Sequence, residues 1–534
     1  MALSKSSRCI SAMLLALCAT ALPAPATTAQ AATIKWASQE DAATMDPHAF
    51  NHGMTLTVLQ HIYEGLVRRD AESRIEPALA TSWTNPSPTV WRFKLREGVT
   101  FHDGTPFGVE DVVFSLKRAM APGSDMKVFT ASLTDVVAGA EANTVELRTS
   151  SPNPALLQSL PELRIMSKAW AERHGATAPA DFKKNAENFA TRSANGTGPF
   201  RLVERQPDIR TVLQAYQGWW DKAPRSVTEA TLVKIGADAT RVAALLSGEV
   251  DFAYPVPIQD IDRVNASGKA KVLQGTEVRA MFLAMDLHRD ELLYSDVKGR
   301  NPFKDARVRQ AIYQVIDVEA INARLMRNTA KPIGEVLPSD INSFDNALNR
   351  REFKFDPAAA RKLIEEAGYP KGFQITLDCP NDRYINAERV CQALAAMLAR
   401  IEIRASVNAI PSSKFFAKIG ARDTSLCFFG YGPSDFDAYN PLNVIVQTPD
   451  KGGAGQWNVG NYSNAEVDAA INRVKDEPDA LRRQAAVSQA LTIHKREIGH
   501  IPLYQPGITW GARTGVETAV QNDNRVNLRF FTVK

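Results

Sequence analysis

The stretch Trp91-Arg92-Phe93-Lys94-Leu95-Arg96-Glu97-Gly98-Val99-Thr100-Phe101-His102-Asp103-Gly104-Thr105-Pro106-Phe107 decides how this chain is read. From Val90 to Leu95, apolar and basic side chains alternate. That is the pattern of a strand with one face buried and the other in water. Asp103-Gly104 sits between apolar residues and signals a tight turn. A helix is predicted from Val109 to Ala119. Outward from this unit, short apolar runs keep alternating with amphipathic helical windows, which predicts an α/β architecture.

Upstream, Thr33 to Ala37 reads as the first strand. Downstream, strands are predicted at Val145 to Arg148 and, fully buried, at Met281 to Met285. Ala239 to Leu246 reads as a short helix ended by Gly248. The clearest helix is Asp356 to Ala367: Asp356 can cap the free amides, Pro357 suits the first turn and Gly368 a left-handed stop. A strand at Gln374 to Leu377, a helix from about Ala387 to Arg400, and strands at Ile403 to Val407 and Leu426 to Phe429 form one layered β-α-β-β unit. Helices Asn464 to Lys475 and Ala480 to Ile498 precede an extended tail.

The chain has 534 residues, enough for two or three domains. Its 63 basic and 59 acidic residues nearly balance, which favours neither a nucleic-acid partner nor an anionic membrane surface. Residues 1–31 are a separate text. Lys5 and Arg8 form a basic start, Ile10 to Leu22 is an apolar run too short to span a bilayer, and Ala29-Gln30-Ala31 is a cleavage pattern. They read as a secretory signal peptide and are set apart from the fold. A lipoprotein reading suffers from bulky Leu17 just before Cys18. Cys379, Cys391 and Cys427 are expected as buried thiols, with a Cys379–Cys391 bridge as the alternative. No metalloprotease, nucleophile-elbow or nucleotide-loop motif occurs, so no enzyme activity and no cofactor are expected.

Several segments occur in a telling order. Met45-Asp46-Pro47 comes first. Leu79-Ala80-Thr81-Ser82-Trp83 leads into the stretch quoted above, and Glu110-Asp111-Val112-Val113-Phe114-Ser115 follows it. Gly196-Thr197-Gly198-Pro199-Phe200, the run Pro302 to Ile312 and Ile501-Pro502-Leu503-Tyr504-Gln505 complete the set. Together they resemble the family 5 extracellular solute-binding proteins, which include dipeptide, oligopeptide, glutathione and nickel binders. Physically, most of these segments are scaffold: Gly198-Pro199 is a turn, and Asp305 caps a helix carrying Val308, Ile312, Val315 and Ile316. The resemblance implies a two-lobed periplasmic-binding-protein fold of type II, cluster C, with an extra N-terminal subdomain. The expected division is lobe 1 over 32–275 with an insertion at about 76–204, lobe 2 over 276–505, and a return to lobe 1 over 506–534. It also implies a monomeric periplasmic receptor that hands a short peptide to ABC permease subunits of the inner membrane.

A buried zwitterion needs a cation for its carboxylate and an anion for its ammonium. Pro380 to Asn386 resembles the loop of dipeptide binders whose arginine holds the peptide carboxylate, which places Arg383 in that role with Tyr384 beside it. Phe429 to Asp437 resembles their loop whose aspartate holds the amino group, so Asp435 is the candidate and Asp437 the fallback. Tyr431 stands where those loops carry tryptophan. Phe436 and Trp457 are candidate pocket walls, and Trp219-Trp220 are candidates for the cleft or for core anchors. The competing readings are a surface ion pair of Arg383 with Asp382 or Glu388, and an Asx turn at Asp435. The same clamp could instead take a nickel chelate or haem, for which His48, His52 and His61 are the residues to watch, or an oligosaccharide or opine-like solute.

Overall fold

The computed structural model describes residues 32–184, 186–222 and 226–534. The expected signal segment lies outside the described residues. Among the described residues the chain builds two large mixed sheets, one four-stranded antiparallel sheet and two two-stranded antiparallel ribbons. The first large sheet has the strand order Ala270–Thr276, Gly507–Arg513, Phe252–Tyr254, Ala32–Ser38, Val227–Lys234, Arg210–Ala215, Phe200–Gln206. Ala32–Ser38 runs parallel to both of its neighbours. The second has the order Lys331–Pro332, His500–Gln505, Ala280–Met285, Leu426–Tyr431, Phe373–Pro380, Ile403–Ile410. There, Phe373–Pro380 runs parallel to both of its neighbours.

Strand Ala280–Met285 shows why the second sheet is a core element. It is an unbroken apolar run because both of its faces are covered. Met281, Leu283 and Met285 enter one core, while Ala280, Phe282 and Ala284 enter another on the opposite face. Its neighbour Leu426–Tyr431 splits the same way, with Phe428 on the first side and Phe429 on the second.

The quoted stretch belongs to the four-stranded antiparallel sheet Ala80–Ser87, Val90–Leu95, Thr144–Thr149, Leu133–Ala138. Trp91, Phe93 and Leu95 point into its core and Lys94 is exposed, as the alternation requires. Gly104 takes φ +84°, a left-handed turn position that suits glycine, and Asp103 Oδ1 accepts from the backbone N–H of Thr105 at 3.0 Å. Helix Val109–Met120 covers the sheet with Val112 and Leu116.

The chain passes from the first large sheet to the second between Thr276 and Ala280, and back between Gln505 and Gly507. The two passages lie side by side. Thr276 pairs with Gly507, Met281 pairs with Tyr504, and the N–H of Glu277 donates to Pro506 O at 2.9 Å. They form one antiparallel ribbon linking two lobes. Gly507 is needed there, because a Cβ would stand 2.3 Å from Thr329 O. The tail then packs on the first lobe through Trp510, Val526, Leu528 and Phe531.

One expectation is corrected. Cys379 and Cys391 are joined by a disulfide with Cα atoms 6.5 Å apart, and only Cys427 is a buried free thiol among the described residues. The strand Phe373–Pro380 and the helix Ala387–Ala399 are joined by a short loop that lays the first helical turns over the strand's end. That brings the two sulfurs together on one face of the same core.

Candidate ligand-binding cleft

Both lobes offer the carboxyl ends of parallel strands to the gap between them, the place where α/β sheets bind ligands. On the first lobe, Ser38 ends strand Ala32–Ser38, Gln39 and Glu40 follow it, and Tyr254-Pro255 close Phe252–Tyr254. On the second, Asp382, Arg383 and Tyr384 follow Phe373–Pro380, Ser412 follows Ile403–Ile410, and Tyr431 to Pro433 close Leu426–Tyr431. These residues line one cavity of ≈ 850 Å³. His52 and Met54, at the start of helix Gly53–Ile62, add to its first-lobe wall.

Arg383 is exposed and lies on this wall. Among the described residues, no carboxylate lies within ion-pair distance of its guanidinium. Asp382 Oδ1 instead accepts from the N–H of Ser412 at 2.7 Å, and Glu388 Oε1 accepts from Gln392 Nε2 at 3.3 Å. Arg383 Cζ stands 5.6 Å from the Tyr384 ring centre. The Tyr384 hydroxyl is tied to strand Leu426–Tyr431 by bonds with both Gly430 N and Gly430 O, each 3.1 Å, which fixes the ring. Arg279 is a second cation on the wall, paired with Glu277 at 3.0 Å.

Of the other expected residues, Tyr431, Phe436 and Trp457 line the cavity. Trp457 packs on Phe416 and Phe429, with ring centres 5.9 and 6.0 Å away. The two aspartates do not stand among the cavity-lining residues, and this corrects the expectation. Asp435 is half-buried behind the wall and forms the Asx turn, Oδ1 accepting from the N–H of Asp437 at 3.2 Å. Its Oδ2 accepts from Asn440 Nδ2 at 3.2 Å, and Asn440 Oδ1 accepts from the Tyr431 hydroxyl at 2.5 Å. Burial and the neighbouring Asp437 carboxylate push Asp435 up to about 7. Asp437 is fully buried in a bidentate pair with Arg483 at 2.6 and 2.9 Å, and also accepts from Asn342 Nδ2 at 2.6 Å. Its acceptor sites are taken.

Trp219 and Trp220 are anchors away from the cleft: both indole N–H groups donate to Glu64, at 3.3 and 2.9 Å. The histidines do not converge. His48 is buried between Arg118 and Arg164 O, and burial holds it down to about 3. His61 Nε2 accepts from the N–H of Leu528 at 3.0 Å. His52 alone of the three lines the cleft, 3.4 Å from Glu40. Among the described residues, no group of three or more His, Cys, Asp or Glu could hold a metal ion.

The family described as bacterial extracellular solute-binding proteins, family 5 Middle, matches residues 74–453. The chain belongs to this family. The glutathione-binding protein GsiB of Pectobacterium atrosepticum is 26% identical over 459 residues, covering 84% of this chain and 83% of that protein. Two solved structures share the fold. The ABC transporter-associated periplasmic binding protein DppA of Helicobacter pylori, in complex with the peptide STSA, superposes with a TM-score of 0.73 at 22% identity over 94% of this chain and 98% of that one. HbpA2 of Haemophilus parasuis gives 0.81 at 19% identity, over 94% of this chain and 100% of that one.

In this family 5 protein the cavity wall also carries first-lobe residues that the motif reading did not name, Glu40, Tyr254, Asp523 and Arg525, beside His52, which it named only for a metal or haem cargo. Glu40 carried one signal, its place just past a predicted strand. Asp523 and Arg525 carried none, because nothing local says that the tail folds back onto the cleft.

Proposed function

We propose that this protein is a periplasmic receptor that closes its two lobes over a short peptide and presents it to an ABC-type membrane permease. The observation that carries the reading is the Arg383 guanidinium, unpaired among the described residues and held against Tyr384 on the wall of a cavity between the lobes. A guanidinium fork suits a peptide carboxylate. The first lobe supplies the opposite charge through Glu40 and Asp523, so a zwitterion would meet an anion on one lobe and a cation on the other. Glu40 is the better partner for the ammonium, since Asp435 and Asp437 are already bonded within the protein. The volume of ≈ 850 Å³ lies inside the range of small-molecule sites, about 300–1,000 Å³.

The ligand would favour the closed form because only then do both lobes touch it. The test is a thermal-shift and calorimetric screen of di-, tri- and tetrapeptides, glutathione, nickel chelates and haem. A peptide at a hundred times its Kd should stabilise the fold by about 2.7 kcal/mol. Arg383→Ala should keep the fold and weaken peptide binding by about 10- to 100-fold, the weight of a charge-assisted hydrogen bond. Unchanged peptide affinity in that variant would remove Arg383 from the site. A screen in which chelates or haem bind and peptides do not would replace the cargo.

A further inference from the structure

A second cavity, of ≈ 50 Å³, adjoins the cleft and shares Asp523 and Arg525 with its wall. It is lined by five arginines against three carboxylic acids, an excess of cations unusual for so enclosed a space. Three of the arginines have carboxylate partners. Arg68 pairs with Glu76 and Asp221 at 2.7 and 2.8 Å, Arg529 pairs with Glu76 at 2.8 Å, and Arg525 holds both oxygens of Glu162 at 2.8 Å. The lining acid Glu64 is occupied by the two indoles and by the Thr197 hydroxyl at 3.0 Å.

Arg164 stands apart. It is 6% exposed, yet among the described residues its guanidinium has no carboxylate within ion-pair distance, and its Nε has no hydrogen-bond partner. Arg69 beside it also has a buried Nε without a partner. The nearest acid in sequence, Glu162, gives both oxygens to Arg525 and, like Glu64 and Asp523, reaches Arg164 only as a charge beyond ion-pair distance. A buried charge without a partner costs several kcal/mol, so a guanidinium in such a recess is poised for an acceptor.

We propose that this recess is an anion site, in which the Arg164 guanidinium receives one small anionic group, a carboxylate or a halide ion. At about 10–15 Å³ for each water-sized group, the recess takes a group of about three to five heavy atoms and no whole peptide. The anion has two sources: solution, or the acidic side chain of a peptide held in the adjoining cleft. The second source rests on the peptide reading above; the first does not.

The experiment separates them. The mature protein is titrated with sodium chloride and with sodium acetate, sodium gluconate holding the ionic strength constant as an ion too large for the recess, and melting is followed. Calorimetry compares Ala-Glu-Ala with Ala-Gln-Ala. A solution ion predicts a saturable rise in melting temperature with chloride or acetate, and an anomalous peak at Arg164 in bromide-soaked crystals. A ligand side chain predicts at least about tenfold tighter binding of the glutamate peptide. Arg164→Met should abolish whichever effect is seen, while Arg164→Lys should retain part of it. Wild-type protein showing neither the small-anion response nor the glutamate preference overturns the proposal, and so does an effect that survives Arg164→Met. If no peptide binds but small anions stabilise, the peptide reading fails and the anion site stands. If peptides bind without either effect, the reverse holds.

Discussion

Asp435 and Asp437 lie two residues apart, and the fold uses them differently. Asp437 is bonded on every side by Arg483, Asn342 and the N–H of Tyr439. Asp435 has hydrogen-bond donors at its carboxyl, the Asp437 carboxylate near it, and the Arg69 charge as a weaker opposing influence. Burial and that neighbour raise Asp435 from 3.8 to about 7 in the folded protein. A carboxyl with a raised folded value holds its proton longer in the native state than in the unfolded one. Its contribution to stability is therefore complete below about pH 4 and is lost as pH rises to about 7. Asp435→Asn should remove that loss. Its melting temperature relative to wild type should be more favourable at pH 8 than at pH 5, and equal differences at the two values would contradict the assignment. Arg383 was legible in the sequence because its loop resembles a known one. The aspartates misled because a loop can keep its acidic residue while turning it inward.

At the scale of elements, local rules worked where local chemistry decides. Helix Pro357–Glu366 starts where Asp356 accepts from the N–H of Ala359 at 2.9 Å, and Gly368 beyond it takes φ +86°. Asp356→Ala should cost about 1 kcal/mol in urea unfolding, the usual weight of such a cap. An unchanged midpoint would show that the cap contributes nothing. The disulfide is the opposite case. Cys379 and Cys391 are 12 positions apart in sequence, and spacing alone could not say whether the strand and the helix would stack. A bridge closing so short a loop stabilises by about 3 kcal/mol through the unfolded chain. Replacing both cysteines with serine should lower stability by about that amount in oxidising buffer, and reduction of wild type should reproduce part of it.

For the whole molecule, the lobes touch through more than the ribbon. Arg69, on the first lobe, donates to Asp435 O at 3.1 Å and lies 4.2 Å from the ring centre of Phe436, both on the second lobe. The same guanidinium is braced at home by Ser73 O and by Gln158. This is a contact between the lobes made of one cation–π interaction and one hydrogen bond. Arg69→Ala should open the lobes, raising the radius of gyration in small-angle scattering. It should also weaken ligand binding about two- to thirtyfold, equivalent to about 0.5–2 kcal/mol. A variant with wild-type scattering and affinity would show that closure does not use this contact.

The sequence by itself determined the α/β class, most strands and helices, the caps of its clearest helices and the family. The class, elements and caps follow from alternation, apolar runs and turn residues, which act over a few residues along the chain, whereas the family follows from the resemblance of several segments in order. Only the tertiary structure decided which residues face the cleft. It put Glu40, Asp523 and Arg525 on one wall, bonded Asp437 to Arg483, joined Cys379 to Cys391 and left Arg164 without an ion-pair partner among the described residues. The reason is physical. A charge is paired or unpaired according to what the fold brings within a few ångströms of it, and those neighbours come from segments hundreds of residues apart.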